Sequence, residues 1–179
     1  LAVVLLVLLN GFFVAAEFAI VKVRATQIES LVKSGVRKAR VAQNVITHLD
    51  AYLSATQLGI TLASLGLGWI GEPFVAHLIE QPLAWVGVTQ PVLITTISFV
   101  TAFALITFLH IVFGELAPKS LAIQQPQQVT LSISTPLHLF FVAFRPFIWA
   151  LNGTANYFLR LNPQVKPRLL TPRRSCGSC

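Results

Sequence analysis

Charge is what this sequence has least of. Only 11% of its 179 residues are Asp, Glu, Lys or Arg, against about 25% in a soluble domain, and 55% are hydrophobic. That balance excludes a soluble globular domain and places the chain in a membrane. The formal net charge of +7 does not point to nucleic acid, because there is no continuous basic helix or aromatic–basic interleave and the basic residues sit beside apolar runs. Cysteine is nearly absent: Cys176 and Cys179 stand alone in the terminal CGSC. One CxxC is half of a zinc site, and is a redox motif only in a suitable fold. Here it closes KPRLLTPRRSCGSC, which reads as a disordered or appended tail. No nucleophile–base pair or phosphate-binding loop is found, so no enzyme is expected. Residues 1–23 lack a basic leader and run too long for a secretory signal. The first residue is Leu1, not Met, so a fragment or processed form is expected.

Three apolar runs stand out. Residues 91–113, PVLITTISFVTAFALITFLHIVF, contain no Asp, Glu, Lys or Arg and are long enough to cross a hydrocarbon core of about 30 Å. Residues 1–23 form another span. It carries Asn10 and Glu17, seven apart and so on one helix face. An acid inside a span is a functional-site hypothesis by default; the alternative is that Glu17 pairs with Arg24 or with a base on another helix. Residues 51–71 form the remaining span. Its Ser54, Gln57, Thr61, Ser64 and Gly68 follow the spacing of one helix face. Such a stripe serves close helix packing or lines an ion path, and Gln57 is the member packing least requires. His110, alone in its run, reads as a hydrogen-bonded helix contact.

The segments between the spans set a topology. Residues 24–50 show apolar residues at helical spacing on either side of Gly35, which predicts two short amphipathic helices. Lys22, Arg24, Lys33, Arg37, Lys38 and Arg40 cluster there, whereas residues 72–90 carry Glu72 and Glu80 and no Lys or Arg. Trp69 and Trp85 fit an interface belt. The positive-inside rule then puts the N-terminus outside and the C-terminus in the cytoplasm of a cell-membrane, multi-pass protein. Residues 126–162 are apolar but interrupted by Pro136, Arg145 and Pro146. A straight fourth span would bury Arg145 at a cost of at least about 2.5–3.5 kcal/mol. A kinked helix along the inner interface avoids this. The fold class expected is all-α integral membrane: three transmembrane helices, two short cytoplasmic helices and a juxtamembrane belt helix, over residues 1–162, with 163–179 a flexible basic tail.

The chemistry concentrates at Gly114-Glu115-Leu116-Ala117-Pro118-Lys119. Proline lacks an N–H and its ring clashes with the carbonyl four residues back, here that of Gly114 if the helix continues. A freed carbonyl beside a carboxylate offers two hard oxygens to Mg²⁺ or Ca²⁺. In the other reading Pro118 ends the helix and Lys119 sits among headgroups.

GELAPKS at 114–120, NGFF at 10–13 with the Ala-Glu at 16 and 17, and TQLGITLASLGLGWIGE at 56–72 resemble the transmembrane domain of the CorC/CNNM family of magnesium transporters, also called DUF21. The resemblance covers most of residues 1–160. It implies the same three-helix arrangement with a belt helix, a homodimer in the lipid membrane, and continuation into a cytoplasmic CBS-domain pair; none follows Arg160, so an isolated membrane domain is expected. It also implies Mg²⁺ efflux, with Na⁺ as the candidate coupling ion and the Mg²⁺ held bare of water by side-chain oxygens and a glutamate that maps to Glu115. Gly114, Thr61 and Gln57 would complete the oxygens, with Glu17 nearby for charge. The chain departs from the family pattern at Ala16 and Lys22, where many members have serines, and at Thr61, where they have asparagine. Two readings follow: a Mg²⁺ efflux domain, or a non-transporting anchor and dimerisation module for cytoplasmic CBS-type sensor domains.

Overall fold

The computed structural model describes residues 2–85 and 90–161. The tail at 163–179, with its CGSC, lies outside the described residues, as do the side chains of Glu72, Glu80 and Trp85. Among the described residues all regular structure is helical. α1 is Ala2–Lys22, α2 Ala25–Lys33, α3 Arg37–Thr47 and α4 Leu49–Gly66. A π-helical turn, Leu67–Gly71, joins α4 to α5, Glu72–Trp85. α6 is Pro91–Leu109, and a second π-helical turn, His110–Leu116, leads into α7, Ala117–Gln124. α8 is Pro126–Ala143 and α9 Arg145–Leu161. Three helical stretches are long and apolar enough to cross a membrane: Ala2–Lys22, Leu49–Ile79 and Pro91–Gln124.

Gly35 separates α2 from α3 as its sequence position suggests. Its φ of +82° is open to glycine without the Cβ penalty that other residues meet. Gly35 N–H donates to Val32 O and Val36 N–H to Leu31 O, the paired bonds that close a helix C-terminus around a left-handed residue.

Two expectations need correction, and one open alternative closes. The second span is expected at 51–71, yet the second long stretch runs from Leu49 to Ile79 and the chain stays helical to Trp85. Pro82 sits inside that helix. Pro136 was expected to interrupt the belt, but it lies inside α8. The bend comes later, at Phe144, where α8 and α9 meet at 76°. Its cause is local: Pro146 restricts Arg145 and has no N–H to continue the ladder. On the open alternative at Pro118, the helix does not end there. It passes through the π-helical turn and on to Gln124.

α1 is the central helix, in contact with α4, α7, α8 and the second π-helical turn. Phe13, Ala16, Ala19 and Ile20 of α1 are buried in one cluster with Val45 of α3, Tyr52 of α4, Ala122 of α7 and Leu137 of α8. A second cluster joins Val7, Leu67 and Ile106 nearer the other end. Hydrophobicity does not drive such helices together in lipid, so close fit and internal hydrogen bonds must. Both are present. The α4 face towards α1 is built from Tyr52, Ala55, Thr56, Gly59 and Ala63, all buried, and the Phe13 ring lies directly over Gly59. At one end of this contact Asn44 Nδ2 donates to the Tyr52 hydroxyl oxygen at 3.4 Å. That leaves the phenolic hydrogen for His138 Nδ1, 2.6 Å away. The pair ties α3, α4 and α8 together, with the Tyr52 ring packed on Phe141 at 4.6 Å between centroids.

Candidate functional site

The second π-helical turn carries the polar centre. Pro118 cannot donate to the carbonyl of Gly114, and the helix widens there: Ala117 N–H reaches back to Val112 O. The Gly114 carbonyl is taken instead by Asn10 of α1, whose Nδ2 donates to it at 3.1 Å across 104 residues of sequence. Asn10 is fully buried. Its other amide atom, Oδ1, accepts from Ser64 Oγ of α4 at 3.4 Å, and Ser64 Oγ also lies 3.5 Å from His110 Nε2. Asn10, Ser64, His110 and Gly114 therefore form one buried-to-half-buried polar junction where the three long helical stretches meet. His110 is a hydrogen-bonded contact, as its isolation in an apolar run suggests. Gly11, next to Asn10, lets Pro118 approach. A Cβ there would lie 2.9 Å from Pro118 Cγ and 3.0 Å from Phe113 O.

The residues expected to hold an ion are placed as follows. Gly114 is buried and its oxygen already accepts the Asn10 amide. Glu115 follows it and is exposed. Glu17 is half-buried on α1. Neither acid forms an ion pair with a described residue; the expected alternative of a Glu17–Arg24 pair is not formed. Lys119 does not neutralise Glu115 either; its Nζ sits 4.5 Å above the Phe18 ring, a cation–π placement. Gln57 and Thr61 are exposed, and Thr61 Oγ1 donates to its own helix, to Gln57 O at 2.8 Å. Each is two residues from Gly59, about 200° round the helix at 100° per residue. They thus face away from α1 and line a cleft of about 510 Å³ with Ser54, Leu58, Leu151 and Asn152. At the rim of that cleft Ser54 Oγ donates to Asn152 Oδ1 at 2.7 Å. Of the five expected residues, Gln57 and Thr61 line that cleft, and Glu17, Gly114 and Glu115 are not part of its lining; the described residues contain no group of three or more His, Cys, Asp or Glu suited to a metal.

The polar stripe on α4 is consequently split. Ser64 serves the junction with α1, Ser54 holds α9, and Gln57 and Thr61 line the cleft. The close-packing face is the other one. Its signal was legible in Ala55, Gly59 and Ala63, small residues every fourth position, a spacing that lets membrane helices approach. Asn10 carried a weaker signal, as an amide deep in an apolar span.

Three long apolar helical stretches around a buried polar junction define a multi-pass membrane domain. The model of the family described as "Cyclin M transmembrane N-terminal domain" matches residues 1–169, and the chain belongs to that CNNM family. It is 52% identical over 150 residues to the UPF0053 protein YhdT of Bacillus subtilis (strain 168), covering 84% of this chain and 32% of that one. It is 45% identical over 161 residues to the UPF0053 protein YugS of the same organism, covering 90% and 37%. It is 36% identical over 160 residues to the UPF0053 protein MT1890 of Mycobacterium tuberculosis (strain CDC 1551 / Oshkosh), covering 89% and 35%. The chain spans about a third of the length of these relatives.

Proposed function

We propose that this domain moves a divalent cation, Mg²⁺ by preference, across the membrane, and that Glu115 is its principal ligand. The observation that carries this reading is a pair of carboxylates, Glu17 and Glu115, in long apolar helices with no ion-pair partner among the described residues. A charge so placed is costly and is kept where it serves an ion path. Glu115 also sits in a π-helical turn, a distortion frequent at functional sites. Hard oxygens are what Mg²⁺ takes. Gln57 and Thr61 would join the ion only if α4 turned its cleft face inward, which is the kind of helix movement alternating access uses. No covalent chemistry is part of this reading, and Na⁺ is a candidate coupling ion. The test is Mg²⁺-dependent stabilisation in the unmodified protein and its absence in Glu115→Gln.

The second reading is a membrane anchor and dimerisation module for cytoplasmic CBS-type domains. The specific support is that the Gly114 oxygen is occupied by Asn10, that Ala16 is fully buried and offers no oxygen, and that Gln57 and Thr61 lie on the far side of α4. Both readings place the chain as a homodimer. Mass measurement in nanodiscs is expected to give twice the chain mass, and a monomer at every concentration would count against it. Both also place the N-terminus outside, from the basic residues of 22–40 against the acidic 72–90. Cysteines introduced at Glu80 and at Lys33 are expected to react with an impermeant reagent on intact cells at Glu80 alone; the reverse pattern would overturn the orientation.

A further inference from the structure

We infer that Asn10 is a positioning residue: by holding the Gly114 carbonyl it fixes the π-helical turn and thereby sets the direction in which Glu115 points. The inference rests on the reading of Glu115 as the ion's ligand, and adds a residue to it that touches no ion. Four observations converge. The Gly114 oxygen has no N–H to receive from Pro118, and its side-chain partner is Asn10 Nδ2 at 3.1 Å. The Asn10 side chain has no freedom to turn away. It is completely buried and its Oδ1 is bonded to Ser64 Oγ. The neighbouring Gly11 brings Pro118 and the Phe113 carbonyl within touching distance of the same turn of α1, so two adjacent residues of α1 contact the widened turn. Glu115 is the next residue after the one held, and is itself exposed with no ion-pair partner among the described residues.

A widened turn holds one residue more than an ordinary α-helical one, so relaxing it to α-helix rotates the flanking residues by about 100°, one residue's share of a turn. Glu115 cannot keep its direction through such a change. Loss of Asn10 is therefore expected to redirect Glu115 as well as to loosen the helices.

The experiment separates these two effects. In the full chain, Asn10→Leu keeps the side chain's bulk and removes its hydrogen bonds. Pro118→Ala supplies the N–H that Gly114 otherwise lacks. The double variant Asn10→Leu/Pro118→Ala then satisfies the carbonyl within the helix, but as ordinary α-helix. If Asn10 positions Glu115, the double variant regains thermal stability relative to Asn10→Leu. Its Mg²⁺ midpoint in a thermal-shift titration nevertheless remains raised by about tenfold or more, the usual loss when a ligand's supporting partner is removed. If Asn10 only satisfies the carbonyl, stability and Mg²⁺ midpoint return together, and the inference falls. A second arm needs no metal. In a chain with Cys176→Ser and Cys179→Ser, a cysteine at Glu115 is titrated with a maleimide, with a cysteine at the exposed Val92 as control. Asn10→Leu is expected to change the rate at 115 by about threefold or more, well beyond the twofold scatter of context-dependent effects, as a turned side chain meets a different face, and to leave 92 unchanged. Equal rates with and without Asn10 would overturn the inference. Should the unmodified protein show no Mg²⁺ response, the ion reading fails while the labelling arm still decides the positioning role. Should Asn10→Leu alone not fold, the double variant is compared with Pro118→Ala in both arms, with the same two outcomes.

Discussion

Adding Mg²⁺ at a hundred times Kd is expected to stabilise the unmodified protein by about 2.7 kcal/mol, since a ligand that binds only the folded state shifts unfolding by mass action. At about 2–4 °C per kcal/mol for a chain of this size, that is a rise readily measured in Tm. Glu115→Gln keeps the shape of the side chain and removes its charge, so the rise should vanish. Thr61→Ala should weaken it far less. A neutral hydroxyl contributes less than a carboxylate to a hard-cation site, and the Thr61 hydroxyl is already spent on Gln57 O. Lys22→Ser should change little. Lys22 is exposed at the last turn of α1, where a long side chain carries its ammonium out to the headgroups. The titration is run at fixed ionic strength, because screening alone alters surface electrostatics. A flat response in the unmodified protein, with Lys22→Ser restoring one, would mean a lapsed site and favour the anchor reading. Flat responses in both, with Glu115→Gln as stable as the parent, would remove the metal site at Glu115.

What could be read from the residues follows from what lipid makes visible. The absence of charge in residues 91–113 marks a span because nothing else tolerates so long an apolar run. Gly35 marks a break because it interrupts a helical period between two basic, amphipathic stretches. The continuation of the helix through Glu72–Trp85 was hidden by the opposite features: two acids and two prolines in residues 72–85 look like a connection. Inside a membrane domain, prolines are tolerated where neighbouring helices or a local widening re-satisfy the freed groups, and residues 67–71 and 110–116 both take that course. The Asn10–Gly114 bond joins residues too far apart in sequence for any local pattern to show. The face that α4 turns to α1 was obscured for a different reason. Polarity picks out Gln57 and Thr61, but lipid and protein interior are equally apolar, so the packed face is distinguished by side-chain size alone.

Gly59 is where that size matters most, and substitution there is expected to give the largest loss of stability of any small change in the membrane-spanning helices. A Cβ at this position would lie 2.5 Å from Cε1 and Cζ of the Phe13 ring and 2.6 Å from Cδ1. The ring cannot simply yield. It is 2% exposed, with the Phe12 ring edge-on at 5.2 Å and the Phe140 ring at 4.7 Å, so it would push into the α8 contact. Gly59→Ala gains about 0.5–1 kcal/mol from the backbone in a helix, but overpacking costs about 1–3 kcal/mol, leaving a net loss. Gly59→Leu adds three more carbons to the same space and should prevent α1 and α4 from meeting at all. Gly153→Ala is the control: nothing lies within 4 Å of the added carbon, so stability should hold or improve slightly. The partner is tested by a double-mutant cycle. Phe13→Leu alone removes buried contacts and destabilises, yet in its presence Gly59→Ala should cost much less, because the two changes share one space and their effects do not add. Unfolding measured in bicelles for the four members of that cycle decides the matter. Additive losses, or a Gly59→Leu variant as stable as the parent, would show that α1 and α4 do not meet through Phe13 and Gly59.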